Sequence, residues 1–491
     1  MSLNSDAERL AVRRSRLIDG FLLVLILLLA FFMAFVPHLD YGYPLHVDEW
    51  WRWGDAQGIL EAGRITYPDP FEAGETVSPD IEVGFHVFLA EIKLITGVSW
   101  LSVFRFLPGL MLSLIVFQAY ALGRSRGIGL QVAFLVALMP TTVRFLGPSF
   151  VVPVSLGLLL VPPVLLVLDR LMRDGRGPAI LFLMLLTALF VHPPTLAVLS
   201  GLVAVYSAMA LLPWVKRKPG LARNAAISLV LMASVLVVMV FWAPSYVDFV
   251  FGEAMDPARH LPLPPIRDAV TTLGLIPAAL FVVGAGILSL SRRWQDWALL
   301  ISAAGLLAYQ LVYPYVYLGP DIVYERGWLF IFLLMAVPGG VALKAIREWA
   351  RHAQRLAPVA HMLVGAIVIG AFALALWGRV SEPFYRLIDD VTYADFAWVK
   401  EYVPDEYRAG LSDTNTAWAF AAASGKTAYT AEVFPNLHDK GRSAMQFLDE
   451  GMRDTTWLTE RGISIVYWSG PVENGDLIKV GNNLYLLPCE E

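Results

Sequence analysis

Charged side chains are scarce in this sequence: Asp, Glu, Lys and Arg make up 16% of its 491 residues, whereas typical soluble domains carry about 25%. The shortage is uneven along the chain. Residues 1–378 contain repeated apolar runs of about 20 residues, which match the hydrocarbon core of a bilayer. Residues 379–491 have the composition of an ordinary soluble segment. We therefore expect one region in the membrane and one in water.

Cysteine and basic charge are also in short supply. Cys489 is the single cysteine, so an intramolecular disulfide is excluded. The formal net charge of −5 gives no indication of a nucleic-acid partner, since such proteins carry basic surfaces. What the sequence has in excess is apolar character, with a mean hydropathy of +0.60.

The apolar runs predict an α-helical polytopic membrane protein with about eleven transmembrane helices. The candidate spans cover residues 17–37, 101–123, 128–146, 150–168, 178–192, 194–213, 225–243, 269–290, 297–318, 327–343 and 359–378. We accordingly expect a membrane domain over 1–378, with a long first outer loop at 38–100, and a small α/β domain over 379–491.

The soluble segment predicts helices alternating with strands, which is typical of a compact α/β unit. Helices are expected at 393–402, 416–423 and 443–461, strands at 409–412, 427–430 and 464–468, and a hairpin around 481–483.

The distribution of Lys and Arg in the loops predicts the orientation. Segments on the side of the N-terminus hold 19 basic residues, and the opposite segments before residue 379 hold seven. This alternation requires 82–99 to be an interfacial helix. The N-terminus is then cytoplasmic, and three regions face outside: the first loop, a middle loop at 244–268 and the C-terminal domain.

An acidic pair, Asp48-Glu49, follows the first span directly. Asp48, Arg52 and Asp55 are spaced i, i+4 and i+7, so a helix would place them on one face. A carboxylate in such a partly dry niche suits a general base or a ligand of a divalent cation, Mg²⁺ or Mn²⁺. The alternative is structural: Asp48 caps the helix and pairs with Arg52 on a solvated face.

These features resemble the GT-C superfamily of membrane glycosyltransferases. The likeness to the superfamily lies in one span followed by the acidic pair and by the helix ending Ala56-x-x-x-Leu60-x-x-Gly63. The pair itself resembles that of protein O-mannosyltransferases and lipid A aminoarabinose transferases. The long first loop, the segment 84–97, Arg144 and the C-terminal domain are similar to the oligosaccharyltransferase catalytic subunit, especially archaeal ones. The Trp-Trp-Asp signature of those oligosaccharyltransferases is missing, because Arg52 follows Trp50-Trp51.

The resemblance implies transfer of a sugar from a polyprenyl-phosphate-linked donor outside the cytoplasm. Asp48 would be the base or would orient the acceptor, and Glu49 would support it or help to bind a metal. The predicted substrate-binding residues are Arg326, Arg144, Arg52, His86, Trp50 and Trp51, and the metal candidates are Asp48, Glu49, Glu82 and Glu253.

Each of these residues also has a structural interpretation. The two outer arginines can snorkel at the interface, and Arg326 can pair with Glu325. The tryptophans can anchor the chain at the interface. For the whole protein, the alternatives are a transporter or flippase, or a non-catalytic binder, of lipid-linked glycans. Transporters usually show internal repeats and charged mid-membrane residues. Because no repeat is visible and the acidic residues gather in loops, an enzyme is favoured; its acceptor stays open.

Overall fold

In a computed structural model, the chain divides into two compact units. The structure describes residues 3–78, 82–212, 220–242, 273–316, 321–352, 357–432 and 438–488. The first unit, here called the helical unit, comprises Met1–Pro37, Phe106–Ser149 and Pro153–Pro383. The second, the mixed unit, comprises His38–Arg105, Phe150–Val152 and Phe384–Glu491.

Helices dominate the described residues. They are α1 (Leu3–Phe35), α2 (Val47–Ala62), α3 (Val83–Thr96), α4 (Trp100–Arg124), α5 (Gly129–Ala137), α6 (Pro153–Asp174), α7 (Pro178–Val191), α8 (Pro193–Leu211), α9 (Leu221–Trp242), α10 (Leu275–Ser289), α11 (Trp294–Val316), α12 (Asp321–His352), α13 (Ala357–Ser381), α14 (Asp390–Tyr402), α15 (Thr416–Ser424), α16 (Asp439–Asp449) and α17 (Thr455–Glu460).

Among the described residues, eight helices are long and apolar enough to cross a membrane. They lie within α1, α4, α6, α8, α9, α11, α12 and α13, and each matches a predicted span. The shorter apolar helices α7 and α10 match two further predictions. Helix α3, with 14 residues, is not one of the eight, as expected for 82–99. These helices confirm the prediction of an α-helical polytopic membrane protein.

One predicted span is much shorter in the structure. The helix expected over 128–146 ends at Ala137, after nine residues, so the prediction for 138–146 is wrong. Pro140 gives a physical reason, because proline has no N–H to donate and disfavours helical backbone at the residue before it. Residues 138–152 instead form a long turn, which includes Leu146 in a left-handed conformation with φ of 46°.

Helix α12 packs against α5, α10, α11 and α13 in the helical unit. A Cβ atom at Gly284 of α10 would overlap the carbonyl of Pro338 in α12. Glycine at this position therefore lets the two helix backbones approach closely, as small residues do in membrane bundles.

A five-stranded sheet forms the core of the C-terminal segment, in the order β4-β3-β5-β7-β6. Its strands are β3 (Ala409–Leu411), β4 (Thr427–Ala428), β5 (Ile463–Tyr467), β6 (Ile478–Lys479) and β7 (Leu484–Leu486). β4, β3 and β5 are parallel, and β5, β7 and β6 are antiparallel. Leu411, Leu448 and Val466 belong to one buried apolar cluster beneath it.

The helix predicted over 443–461 is two helices, α16 and α17, so that prediction is wrong in its middle. Gly451 and Met452 both have positive φ, 79° and 58°, which ends a right-handed helix. Asp454 then caps α17, since its Oδ1 accepts the N–H of Thr456 at 2.9 Å.

The first loop and the C-terminal segment pack together inside the mixed unit. The loop forms a short hairpin of β1 (Tyr67–Pro68) and β2 (Thr76–Val77), and Glu72 forms an isolated β-bridge with Thr430. Lys440 donates a hydrogen bond to the Glu72 carboxylate. The ring of Trp418 lies 4.7 Å from Phe71, measured between centroids. Two segments separated by the whole membrane region are thus one folded unit.

Candidate active site

The acidic pair lies in the first turn of α2. His46 is the N-cap, and its Nδ1 accepts the backbone N–H of Asp48 at 3.1 Å. The alternative in which Asp48 itself caps the helix is therefore wrong by two residues. Asp48 and Glu49 in this first turn are favoured by the partial positive charge at the helix N-terminus.

Glu49 is fully buried and bonded through both carboxyl oxygens. Oε2 accepts the N–H of Leu45 at 2.7 Å, and Oε1 accepts the N–H of Val151 at 2.8 Å. Burial raises the pKa of Glu49 to about 8, although the two N–H donors act in the opposite direction. The side chain joins the start of α2 to the segment 150–152. Its geometry suits a positioning residue.

Asp48 has a different environment from its neighbour. Its side chain is 28% exposed, and its Oδ1 lies 3.3 Å from Nδ1 of His46. That nitrogen already accepts the Asp48 backbone N–H, so it does not donate to the carboxylate in the same tautomer. The His46 ring is itself held by Phe150 and Tyr385, at 5.9 and 5.1 Å between ring centroids. Asp48 thus reaches the surface of the mixed unit from a turn with fixed backbone.

Arg52, Asp55, Glu82 and His86 form a polar cluster between α2 and α3, in which all but the partly exposed Glu82 are buried. Arg52 Nη2 lies 2.7 Å from Glu82 Oε2, and Nη1 lies 3.0 Å from His86 Nε2. Asp55 Oδ2 lies 3.4 Å from the same histidine nitrogen. Burial, and then the Arg52 charge, lower the pKa of His86 well below its usual range, so the ring is a neutral acceptor.

The three residues at i, i+4 and i+7 spacing in α2 contact different partners. Arg52 and Asp55 turn towards α3, whereas the Asp48 carboxylate lies beside His46. The cluster fixes α2 against α3 and supports the turn that carries Asp48. Arg52 and His86 thus have partners within the unit.

The described donors do not fit a Mg²⁺ or Mn²⁺ ion. No group of three or more His, Cys, Asp or Glu side chains among them is placed to hold a metal. Both oxygens of Glu49 accept backbone N–H groups, and the Glu82 carboxylate pairs with Arg52. Glu253, together with the middle loop predicted at 244–268, lies outside the described residues.

The two adjacent tryptophans differ in accessibility. Trp50 is fully buried, with its ring stacked on Trp53 at 5.2 Å between centroids. Trp51 is 38% exposed. The Arg52 guanidinium lies 4.0 Å from the centre of the Trp51 ring, and Trp418 lies 6.0 Å away. Trp50 therefore packs in the core of the unit, and Trp51 is the more exposed of the two rings.

Arg144 and Arg326 lie together in the helical unit. Arg326, near the start of α12, donates from Nη1 to the carbonyl of Arg144 in the turn after α5. Glu325 Oε2 lies 3.8 Å from the same nitrogen. The pairing with Glu325, considered as the structural alternative, is thus present but long.

Two further charged residues hold the same turn, and sequence reasoning missed both. Arg379 donates from Nη2 to the carbonyl of Met139, and Glu382 Oε1 accepts the N–H of Val143 at 2.8 Å. The one sequence feature that could have identified Arg379 and Glu382 is their position directly after the last apolar run. That position does not reveal that Arg379 is buried.

Comparison with known proteins identifies solved structures of similar fold, but it assigns the sequence to no family. No family model matches the sequence, and no curated protein is similar to it. Three solved structures superpose well. The archaeal oligosaccharyltransferase AglB from Archaeoglobus fulgidus, solved with an inhibitory peptide and a dolichol-phosphate, has a TM-score of 0.60 at 13% identity over 92% of this chain and 69% of its own.

The other two comparisons cover slightly more of this chain. ArnT from Cupriavidus metallidurans has a TM-score of 0.56 at 13% identity, over 96% of this chain and 98% of its own. The mycobacterial arabinofuranosyltransferase AftD has a TM-score of 0.60 at 14% identity, over 96% and 40%. All three are GT-C glycosyltransferases. This chain has a GT-C-like fold.

The GT-C-like fold confirms the fold implied by the sequence resemblance. Within it, the predicted site residues form two groups. Asp48, Glu49, Trp51, Arg52 and His86 belong to the mixed unit, while Arg144 and Arg326 belong to the helical unit. Their roles in binding or catalysis stay predictions. Similarity to structures at 13–14% sequence identity indicates a shared fold but not a shared function.

Proposed function

We propose that this protein is a membrane glycosyltransferase that transfers a sugar from a polyprenyl-phosphate-linked donor to an acceptor on the extracytoplasmic side. One observation carries the proposal: in a GT-C-like fold, a partly exposed Asp48 stands on a turn that the buried Glu49 holds in place. The neighbouring structures support the donor class, since AglB was solved with a dolichol-phosphate and ArnT with undecaprenyl phosphate.

The orientation rests on the basic loops and on the composition of the mixed unit. The first loop and the C-terminal segment belong to one folded unit, so they share a compartment. Most loop Lys and Arg residues belong to the opposite side, which the positive-inside rule assigns to the cytoplasm. The Asp48 turn is then extracytoplasmic, as is the C-terminal domain.

In the proposed reaction, an acceptor group such as a hydroxyl attacks the anomeric carbon of the donor. The bond from that carbon to the phosphate oxygen breaks, and the lipid phosphate leaves with the electron pair. Asp48 orients the acceptor and takes its proton. Glu49 does not touch the substrate; it holds the backbone on either side of the acidic turn. Correct placement matters because positioning supplies much of the rate in such transfers.

Positive charge near the phosphate stabilises the leaving group. The helical unit offers Arg326 and Arg144 as candidates. Arg326 uses one N–H on the carbonyl of Arg144, which fixes the guanidinium and leaves other N–H groups for a phosphate. Arginine suits this role through its planar fork. In the mixed unit, Trp51 is the candidate for stacking on a sugar.

The decisive experiment compares Asp48→Asn with the wild type in membranes supplied with a panel of polyprenyl-phosphate sugars, with and without a chelator. We expect transfer to fall by at least about 100-fold, the usual contribution of a general base, with unchanged expression and folding. Glu61→Gln is the matched control, because it neutralises an exposed carboxylate in the last turn of the same helix. Full activity of Asp48→Asn would show that Asp48 is not the base of the reaction.

Binding of the donor separates the proposed enzyme from a non-catalytic binder. Asp48→Asn should still bind a polyprenyl-phosphate sugar, because the carboxylate acts on the acceptor. If the wild-type protein binds the donor but transfers the sugar to no hydroxyl acceptor, the protein is a non-catalytic binder of lipid-linked glycans.

A further inference from the structure

A cavity of about 380 Å³ lies within the helical unit. It is lined by the turn after α5, the start of α10 and the end of α13. Most of its wall is apolar, but Arg379, Glu382 and the adjacent residues Thr141 and Thr142 bring polar groups to it. None of the residues predicted from sequence to bind substrate lines this cavity.

Arg379 is the unusual member of the wall. It is 2% exposed, and its Nη1 and Nη2 donate to the carbonyls of Ala375 and Met139. Its Nε has no hydrogen-bond partner, and no carboxylate of the described chain forms an ion pair with it. A buried guanidinium that meets only neutral carbonyls keeps its full charge in an apolar environment, which is costly. An anion in the cavity would relieve that cost.

The side of the cavity towards lipid is strongly apolar and open. Leu275, Leu374 and Trp377 line it and are exposed. Leu374 and Trp377 belong to the membrane span His361–Ser381, so their exposed surface meets acyl chains. Tryptophan is typical of the level of the lipid head groups. A ligand that satisfies both sides has an anionic head and an apolar tail.

The charges of the side chains that line the cavity indicate which kind of lipid head group would fit. The cavity offers one guanidinium and one carboxylate, that of Glu382. A phosphomonoester carries about −1.5 to −2 at neutral pH, which exceeds the single positive charge of Arg379 even before repulsion by Glu382 is counted. A phosphodiester carries a single negative charge and presents two oxygens to the edge formed by Nε and a terminal nitrogen.

We propose that this cavity binds the phosphodiester head of a lipid of the surrounding bilayer, with Arg379 as the anchor. The chains of that lipid would lie along Leu374 and Trp377. A bilayer lipid is favoured over a soluble phosphate because the wall is open on the face of α13 that acyl chains cover. The proposal concerns lipid binding and is independent of sugar transfer.

Two glycines of α13 provide a matched steric test. A Cβ atom at Gly378, which lines the cavity, meets nothing within 4 Å, and the same is true at Gly365, which does not line it. Gly378→Leu therefore adds a side chain at the cavity wall from a position with open space around its Cβ atom, and Gly365→Leu makes the same change elsewhere on the helix. In the purified full-length protein, native mass spectrometry with phosphatidylglycerol as the probe would measure affinity. We expect about tenfold weaker binding for Gly378→Leu and no change for Gly365→Leu.

Neutralising Arg379 and neutralising Glu382 should change phosphatidylglycerol binding in opposite directions, which tests whether Arg379 binds the phosphate. Arg379→Gln should weaken phosphatidylglycerol binding about tenfold or more, as loss of a charge-assisted hydrogen bond does. Glu382→Gln should strengthen it a few-fold, because the amide oxygen still accepts the Val143 N–H while the repulsion disappears. Diacylglycerol, which lacks the phosphate, should not compete.

Three results would overturn the proposal: equal phosphatidylglycerol affinity in the two leucine variants, competition by diacylglycerol as strong as by phosphatidylglycerol, or binding of a polyprenyl phosphodiester when phosphatidylglycerol itself does not bind. The last would assign the cavity to another lipid class. Sugar transfer plays no part in these measurements, so a failure here leaves the proposed reaction untouched.

Discussion

Two buried arginines, one in each unit, have nearly the same exposure and opposite partners. Arg52 in the mixed unit is 5% exposed and Arg379 in the helical unit 2%. Arg52 faces the Glu82 carboxylate and the His86 ring, so its charge is compensated inside the protein. Arg379 faces two backbone carbonyls, so its charge is not. Arg52 therefore links α2 to α3, and Arg379 is the residue for which we propose an anionic partner.

Removing Arg52 should have the largest effect on stability. Arg52→Met removes the cation that pairs with the largely buried Glu82 carboxylate, and breaking a fully buried pair in this way costs about 3–5 kcal/mol, which is the upper limit here. Denaturant titration of the purified protein, followed by tryptophan fluorescence, would measure the loss. Arg64→Met, at an exposed arginine of the same loop, is the control. Equal stability of the two variants would mean that the Arg52 charge is not compensated as described.

A double variant sharpens this result. Glu82→Gln removes the carboxylate that Arg52→Met leaves behind, so the combined variant should be less destabilised than the sum of the single changes. Non-additivity is expected for residues in direct contact. Strict additivity would argue that the two side chains do not interact in solution.

Glu49→Gln should have the next largest effect. The amide nitrogen of glutamine cannot accept a hydrogen bond, so either Leu45 or Val151 loses its acceptor in a buried position. Such a loss costs about 1–3 kcal/mol, and the altered turn should also lower sugar transfer through Asp48. Unfolding and transfer assays on the same preparation would measure both. Glu61→Gln should change neither, and a Glu49→Gln protein of wild-type stability would contradict the assigned bonding.

The titration of Glu49 makes a pH-dependent contribution. Its pKa is raised to about 8 in the fold, whereas an unfolded glutamate ionises near pH 4.3. Between these values the folded state retains a proton that the unfolded state has lost, so stability falls as pH rises, by at most about 1.4 kcal/mol per pH unit. The wild type should therefore lose more stability than Glu49→Gln between pH 5 and 8. Parallel curves for the two proteins would show that Glu49 is ionised throughout.

Arg379→Met should have the smallest effect. The variant loses hydrogen bonds to two carbonyls but also removes a buried charge, so we expect a change within about 1 kcal/mol. The same denaturant titration measures it. If Arg379→Met lowered the free energy of unfolding as much as Arg52→Met, the two arginines would not differ in how their charges are compensated.

The sequence predicted the elements better than the contacts. Apolar runs and turn residues placed the spans and most C-terminal strands, because these depend on local composition. The errors lie where one residue redirects the chain, as at Pro140 and Gly451. The residue types of the acidic pair do not reveal that Glu49 is buried and Asp48 partly exposed, because the contact that holds Glu49 comes from Val151, 102 positions away. Arg379 was missed for the same reason, since its burial is a property of the packed helices.

The β-bridge between Glu72 and Thr430 has a consequence for biosynthesis. Its neighbouring contact, Lys440 with Glu72, joins residues 368 positions apart. At about 5–20 residues per second, the ribosome delivers the second partner roughly 20–70 s after the first. In the proposed orientation, the first loop is exported during that interval with Trp51 and Phe71 lacking the Trp418 ring beside them. The first loop therefore stays without these partners until the segment after the last span, His361–Ser381, has been synthesised.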